Sequence, residues 1–259
     1  MFLSIITITY NDLDNLKNTL KSIEVQDNKN FEWVVVDGNS KDGTKNFIEH
    51  SEYKPSTFIS EPDAGLYDAM NKGIKAATGN YLVFMNAGDT FPDTTTVAFI
   101  EKQIIKNNLP DFVYGDAFEI DVSNNKLFRP SRKSSHKVVG MFTHHQSMYY
   151  KSSLIKEHDL TYDLSLKIAA DYKFTCQFLE LVNTELYIPS PLCIFLQGGL
   201  SQVEWKQSMK ELSLVKKEVL NMPSPQVYIL YISQLGWHLL KNKIPAIYKY
   251  IRFKNMKTD

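Results

Sequence analysis

The chain has 259 residues, 43% of them hydrophobic, enough for one large core or one core with a small appendage. Lys+Arg and Asp+Glu balance at 29 each, so no overall field draws it to nucleic acid. No stretch reaches the roughly 18 apolar residues that a membrane span needs, and Cys176 and Cys193, without metal-ligand spacing, read as buried free thiols of a reducing compartment.

Leu3 to Thr9 is rich in β-formers and reads as a strand rather than a leader peptide. Leu13, Leu16, Leu20 and Ile23 recur at helical spacing, with Asn11 or Asp12 as the expected cap. Phe31 to Val36 is a second buried strand, a short helix starts near Gly43, and Thr57 to Ser60 is a brief third strand. Met70, Ile74 and Ala77 mark one helical face, expected to stop at Gly79. Tyr81 to Met85 is a fourth strand, and Val97, Ile100 and Ile104 mark another helix. This alternation predicts a parallel sheet covered on both faces over the first hundred residues. Beyond Asp111 the pattern predicts separate strands at Phe112 to Tyr114 and Phe118 to Val122, a hairpin turn at Asn124-Asn125, and loop from 130 to 145. A strand at Ser147 to Tyr150, a helix at Ala170 to Leu181 and an apolar stretch at Leu186 to Leu196 follow, with helices outside the sheet from Val203 onward. The domain division expected is 1–201, with a helical, basic and aromatic extension over 202–259.

The chemistry-bearing residues lie at strand ends, where an open α/β sheet places its ligands. Ser60 to Gly73 sets Asp63, Asp68, Asn71 and Lys72 on a glycine-jointed loop and the helix it enters. Asp68, Asn71 and Lys72 are three or four residues apart and share a face; the lysine suits either a surface ion pair or phosphate charge. Asp89, in Asn86-Ala87-Gly88-Asp89, lies just past an apolar strand, where it can reach a magnesium or manganese ion carrying a diphosphate. That combination points to nucleotide-sugar chemistry. Asp37, in Asp37-Gly38-Asn39-Ser40, suits either a capped turn or acceptance from a nucleobase N–H. His144 and His145, if on a strand, point to opposite faces and do not share one ion. Asp171 opens a helix, where a carboxylate is favoured in any case. The chain has no G-x-G-x-x-G, P-loop, H-E-x-x-H or G-x-S-x-G pattern, which removes dehydrogenase, P-loop, zincin and α/β-hydrolase readings.

Taken in order, Ile8 to Asn11, Val36 to Thr44, Glu61 to Gly73, Asn86 to Asp89, His145-Gln146, Ala170 to Tyr172 and Gly198 to Ser201 resemble the inverting family-two glycosyltransferases of GT-A fold. The similarity looks greatest to the branch that builds bacterial exopolysaccharide and O-antigen units, of colanic-acid type. The resemblance implies an α/β fold with a mainly parallel central sheet. It implies donor contacts from Thr9, Tyr10, Asn11, Asp37, Asp63, Asp68, Asn71, Lys72 and Asn86, with Thr9, Asp37 and Asp63 on the nucleoside. It implies Asp89 as ligand of Mn²⁺ or Mg²⁺, Asp171 as general base, and His145 and Gln146 on the acceptor. Asn86 stands where the family's first metal-binding acid is usual, and Ala170 where an acid often precedes the base. The expected reaction moves a hexose or N-acetylhexosamine from a UDP-sugar, or alternatively a GDP-sugar, to a glycan or polyprenyl-linked acceptor. The competing readings are a nucleotide-sugar-binding protein without catalysis and a sugar nucleotidyltransferase, whose Gly-rich N-terminal signature is missing after Thr9.

The C-terminal segment adds Val227, Tyr228, Ile229, Leu230, Tyr231, Ile232, Leu235, Trp237, Leu239 and Leu240. Lys241, Lys243, Lys249, Arg252, Lys254 and Lys257 follow, opposed by Asp259. This mix, interrupted by Pro245, suits an anionic membrane surface, giving the expectation of a cytoplasmic enzyme held on the inner face of the plasma membrane. The alternative is that the apolar residues pack on the sheet and the lysines are solvated.

Overall fold

A computed structural model describes residues 1–121, 123–198 and 204–243. β1 (Leu3–Thr9), β2 (Phe31–Asp37), β3 (Thr57–Ser60) and β4 (Tyr81–Phe84) pair in parallel in the order β3-β2-β1-β4. They are linked by α1 (Leu13–Glu24), α2 (Thr44–His50) and α3 (Leu66–Ala76), and β4 is followed by α4 (Thr96–Lys106). β1, β2 and β4 are buried along their whole length because both faces are covered. Ile6, Ile8, Val34 and Val36 meet Tyr67, Met70 and Ile74 of α3 on one face. Leu3, Ile5, Trp33 and Val35 meet Leu16 and Ile23 of α1 and Val97, Ile100 and Ile104 of α4 on the other. Both cysteines are buried and free.

The second half of the sheet is antiparallel at its seam. β5 (Phe112–Ile120) is followed by β6 (Lys126–Arg129), β7 (Met148–Lys151) and β8 (Glu185–Leu196). β7 lies between β4 and β5 and runs against both, so the sheet is mixed. The two strands expected from 112 to 122 are one strand, because β8 runs parallel along its whole length and absorbs the polar Gly115-Asp116 step as a register shift. Asn124 takes φ 62° in the turn to β6, as the hairpin signal requires. Val122, the expected strand end, lies outside the described residues.

The remaining helices are α5 (Ser152–Glu157), α6 (Ala170–Leu179), α7 (Trp205–Glu218) and α8 (Ser224–Lys243). α7 is joined to the main core: Val215 is buried in the cluster that holds Tyr67 and Phe174. Three local expectations change. Neither Asn11 nor Asp12 caps α1 through its side chain; the Leu13 N–H donates to Asp42 Oδ2 at 2.9 Å. α3 ends at Ala76, before Gly79, whose N–H is drawn off to Ser4 Oγ and Glu32. His144 and His145 stand at a single 3₁₀ turn, His145–Ser147, and not on a strand.

Candidate active site

The C-terminal ends of β1 and β2 and the loop after β4 open into a cleft of about 700 Å³, lined by Thr9, Tyr10, Gly38, Asn39, Asp63 and Asn86 among others. Its floor is two crossed loops. Asn11 N–H donates to Ser40 Oγ and Lys41 N–H donates to Asn11 Oδ1, both at 2.7 Å. Asn11 sits at φ 49°, a left-handed conformation that asparagine tolerates better than most residues. Thr9 Oγ1 is buried with no hydrogen-bond partner, an unspent polar group at the back of the cleft.

The two carboxylates assigned to the nucleoside are placed differently. Asp37 is fully buried, accepting from Ser40 N–H at 3.2 Å and Ser60 Oγ at 2.7 Å, and does not line the cleft. Asp63 does line it, leaning over Gly38 while one of its oxygens accepts from Gly65 N–H. A Cβ at residue 38 would lie 2.6 Å from Asp63 Oδ2, so only glycine permits that approach. Asp68, Asn71 and Lys72 line neither this cleft nor the cavity beside it. Lys72 pairs with Glu61 at 2.9 Å and Asp68 at 3.6 Å, while Asn71 bonds the Tyr162 backbone in both directions. Asp68 and Lys72 thus brace the 61–64 loop, and Asn71 ties α3 to the chain at Tyr162.

A second cavity of about 390 Å³ adjoins the cleft, and Leu66, Asn86 and Ala87 line both. Asp89, Gln146, His145 and Asp171 converge on it, from β4's loop, the turn before β7 and the first turn of α6. Asp89 is 4% exposed. Burial pushes its carboxyl up to about 7, against hydrogen bonds from Leu196 N–H (3.2 Å) and Gln146 Nε2 (2.6 Å). Burial likewise pushes Asp171 up to about 6, against bonds from Tyr172 N–H at 2.7 Å and Tyr67 Oη at 3.4 Å. Burial, helped by His144, holds His145 down at about 3, so its ring is neutral.

His145 bridges the two halves of the site. Asn86 Nδ2 lies 3.3 Å from His145 Nε2, and His145 Nδ1 lies 3.9 Å from Asp171 Oδ2. With the Asn86 amide donating, the ring proton sits on Nδ1 and faces Asp171. His144 lines the same cavity but bonds elsewhere, with Nε2 2.9 Å from Glu119 and its ring stacked on Phe195 at 4.3 Å. The two histidines thus bond different partners, from a 3₁₀ turn and not from the opposite faces of a strand.

Among the described residues no group of three or more His, Cys, Asp and Glu could hold a metal ion. A divalent ion carrying a diphosphate needs fewer protein ligands, because Mg²⁺-type sites combine one or two protein oxygens with phosphates and water. Asn86 Oδ1 is buried and unpartnered on the same cavity as the Asp89 carboxylate. Those two hard oxygens fit such an ion.

Sequence reasoning overlooked Tyr67, whose hydroxyl donates to Ile168 O at 2.5 Å beside Asp171, and Lys167, which lines the cavity. Tyr67 lay within the singled-out Ser60 to Gly73 stretch but looks like core. Lys167 carries no local signal.

The profile of Glycosyl transferase family 2 matches residues 4–166. An uncharacterized glycosyltransferase of Mycobacterium tuberculosis is 33% identical over 200 residues, covering 76% of each chain. A PGL/p-HBAD biosynthesis glycosyltransferase of Mycobacterium bovis is 32% identical over 174 residues, 66% of this chain and 67% of its own. Among solved structures, S. aureus TarS 1-349 in complex with UDP-GlcNAc superposes with a TM-score of 0.69 at 19% identity, over 92% of this chain and 73% of that one. The mannosyltransferase PcManGT from Pyrobaculum calidifontis, in complex with GDP-Man and Mn²⁺, gives 0.63 at 18% identity, over 88% and 68%. The mixed sheet with helices on both faces is the GT-A architecture of those structures, and the chain belongs to glycosyl transferase family 2.

Proposed function

We propose that this chain is an inverting glycosyltransferase that uses a nucleoside-diphosphate sugar and a divalent cation to extend a lipid-linked glycan of a bacterial surface polysaccharide or glycolipid. The observation that carries this reading is the meeting of Asp89 and Asp171, both with raised proton affinity, on one cavity that shares Leu66, Asn86 and Ala87 with the cleft. The nucleoside takes the cleft, against Thr9 and Tyr10, with Asp63 as the carboxylate available to a base N–H. Asp37, engaged by Ser40 and Ser60, holds the turn behind it. Uracil, with a single ring N–H, is the favoured base, and guanine the second. Asp89 and Asn86 would hold Mn²⁺ or Mg²⁺ together with the diphosphate, and the ion would supply charge neutralisation at the leaving β-phosphate.

Asp171 takes the proton of the acceptor hydroxyl as that oxygen attacks the anomeric carbon from the face opposite the leaving group. A positioned carboxylate contributes about 10²–10⁴-fold to such a step. Its burial suits it, because a base lifted toward neutrality accepts a proton more readily at working pH. His145 orients it, and Gln146 holds Asp89. A relative that biosynthesises PGL/p-HBAD and the neighbour holding UDP-GlcNAc support glycolipid or glycan synthesis from a nucleotide sugar.

The acceptor's lipid gives α8 a role. Tyr228, Ile229, Ile232 and Leu239 are exposed and fall on one side of that helix, while Val227 is buried and Gln234 bonds Val139 O. Among the described residues no helix is long and apolar enough to cross a membrane. Lys241 and Lys243 close the helix, and Lys249, Arg252, Lys254 and Lys257, with Pro245 and Asp259, lie outside the described residues. An apolar stripe followed by cations suits an anionic leaflet at about 1 kcal/mol per basic residue. In sedimentation with anionic liposomes, Ile229→Glu/Ile232→Glu should stay in the supernatant while the parent chain pellets; equal recovery removes the membrane role.

The function itself is tested by thermal-shift and turnover screens with UDP- and GDP-sugars, with and without Mn²⁺. A metal-dependent rise in Tm with a nucleoside diphosphate, and its release from the sugar, are expected. Binding without release in every pairing identifies a nucleotide-sugar-binding protein instead.

A further inference from the structure

We propose that Glu211, on α7, is a positioning residue for Asp171, which makes α7 part of the catalytic unit. This rests on Asp171 as the base. Glu211 is 4% exposed, and its carboxylate is saturated. Oε2 accepts from Ile168 N–H at 2.8 Å and Ala169 N–H at 2.9 Å; Oε1 accepts from Lys167 N–H at 3.1 Å and Gln207 Nε2 at 2.8 Å. Three consecutive backbone N–H groups therefore converge on one side chain 42 to 44 residues further along the chain.

Those N–H groups lead directly into α6, whose second residue is Asp171. The N-cap position is Ala169, which has no side-chain acceptor, and no local cap bond forms. The N-cap N–H is one of the orphan donors of a helix start, and Glu211 accepts it from outside the helix together with the two N–H groups that precede it. Tyr67 of α3 holds the same segment from the other side by donating to Ile168 O at 2.5 Å, and its hydroxyl lies 3.4 Å from Asp171 Oδ1. The strand of chain that carries the base is thus clamped between α3 and α7, its amides on Glu211 and its carbonyl on Tyr67. Burial works against the Glu211 charge, but Gln207 and the three amides outweigh it and keep the carboxyl below the usual glutamate range. The clamp therefore stays an anion at neutral pH. Glu211 lies beyond residue 166, where the family match ends.

A small displacement of a catalytic group is expensive: about 1 Å of misplacement costs on the order of 10²-fold in rate. Glu211→Gln replaces one accepting oxygen by a donor that faces backbone N–H groups, so the segment must shift while side-chain volume is kept. The test is made on the full chain with the nucleotide sugar that gives Asp171-dependent release. UDP and GDP with MnCl₂ serve as binding probes in calorimetry, and backbone amide exchange follows residues 167–172. For Glu211→Gln we expect kcat to fall about 10–100-fold, nucleotide Kd and donor KM to stay within about twofold, and exchange at Ile168 and Ala169 to rise. Glu211→Asp, which keeps the charge and loses one methylene, should show the same split at smaller amplitude and covers failure of the first variant to fold. A folded variant with unchanged kcat overturns the proposal, as does a fall in kcat that follows an equal loss of nucleotide affinity. A parent chain that releases no nucleoside diphosphate from any sugar tested refutes the function, whereas unchanged amide exchange in Glu211→Gln refutes the clamp.

Discussion

The parallel half of the molecule and the antiparallel seam build their parts of the site by opposite means. Around the cleft, polar groups are held by short local bonds between neighbouring loops: Asn11 to Ser40 and Lys41, Asp37 to Ser40 and Ser60, Asp63 to Gly65. At the seam, Asp89 and Asp171 are buried by strands and helices remote in sequence, and burial lifts both carboxyls toward neutrality. A binding surface for a charged, solvated ligand needs fixed, satisfied turns. Proton and metal chemistry needs groups withdrawn from water, whose charge is costly until a ligand or proton arrives.

The largest effect that separates the halves is expected from Asp89→Ala. Metal-dependent turnover should vanish while circular dichroism and melting remain those of a folded chain; turnover surviving with unchanged metal dependence would place the ion elsewhere. Next is pH. A general base must be deprotonated, so with Asp171 near 6 kcat should fall about tenfold per unit below that value and level off above it. A profile flat from pH 5 to 8 would remove a buried base.

Within the cleft, Asp63→Ala should weaken nucleotide binding in calorimetry by about tenfold, the scale of one charge-assisted hydrogen bond, with little change in Tm. Asp37→Ala should lower Tm instead, because it strands Ser40 N–H and Ser60 Oγ. The reverse pattern would return base recognition to Asp37.

The smallest effect is on stability. Asp171 binds its proton more tightly folded, near 6, than unfolded, near 3.8. Its contribution to stability is thus complete below about pH 4 and is lost as pH rises through about 6. Asp171→Asn, neutral throughout, should melt a few degrees above the parent at pH 8 and no higher than it at pH 4. Asp89 has the same sign and stays in place, so part of the parent's pH dependence persists in that variant.

The same contrast explains what could be read from the sequence. The parallel half was legible nearly to the residue, because Leu3 to Thr9, Phe31 to Asp37 and Tyr81 to Phe84 are dominated by apolar β-formers and their loops carry glycine and asparagine signals. The seam was less so. β5 was divided in two because the Gly115-Asp116 step looks like a turn, and only pairing with β8 keeps it a strand. His145 was visible as a candidate, but not its place between Asn86 and Asp171, since that depends on a 3₁₀ turn and on α6 reaching the same cavity. Asp68, Asn71 and Lys72 carried a ligand-like pattern, yet each is engaged by protein. Polarity alone does not separate a brace from a binding group.

The most direct test of the account is to measure, on one preparation of Asp171→Asn, calorimetric affinity for UDP or GDP with Mn²⁺ and turnover of the matching sugar donor. The account predicts nucleotide affinity within about twofold of the parent and turnover reduced by roughly 10²–10⁴-fold. Turnover close to the parent's, or a loss of affinity large enough to explain the loss of turnover, would contradict it.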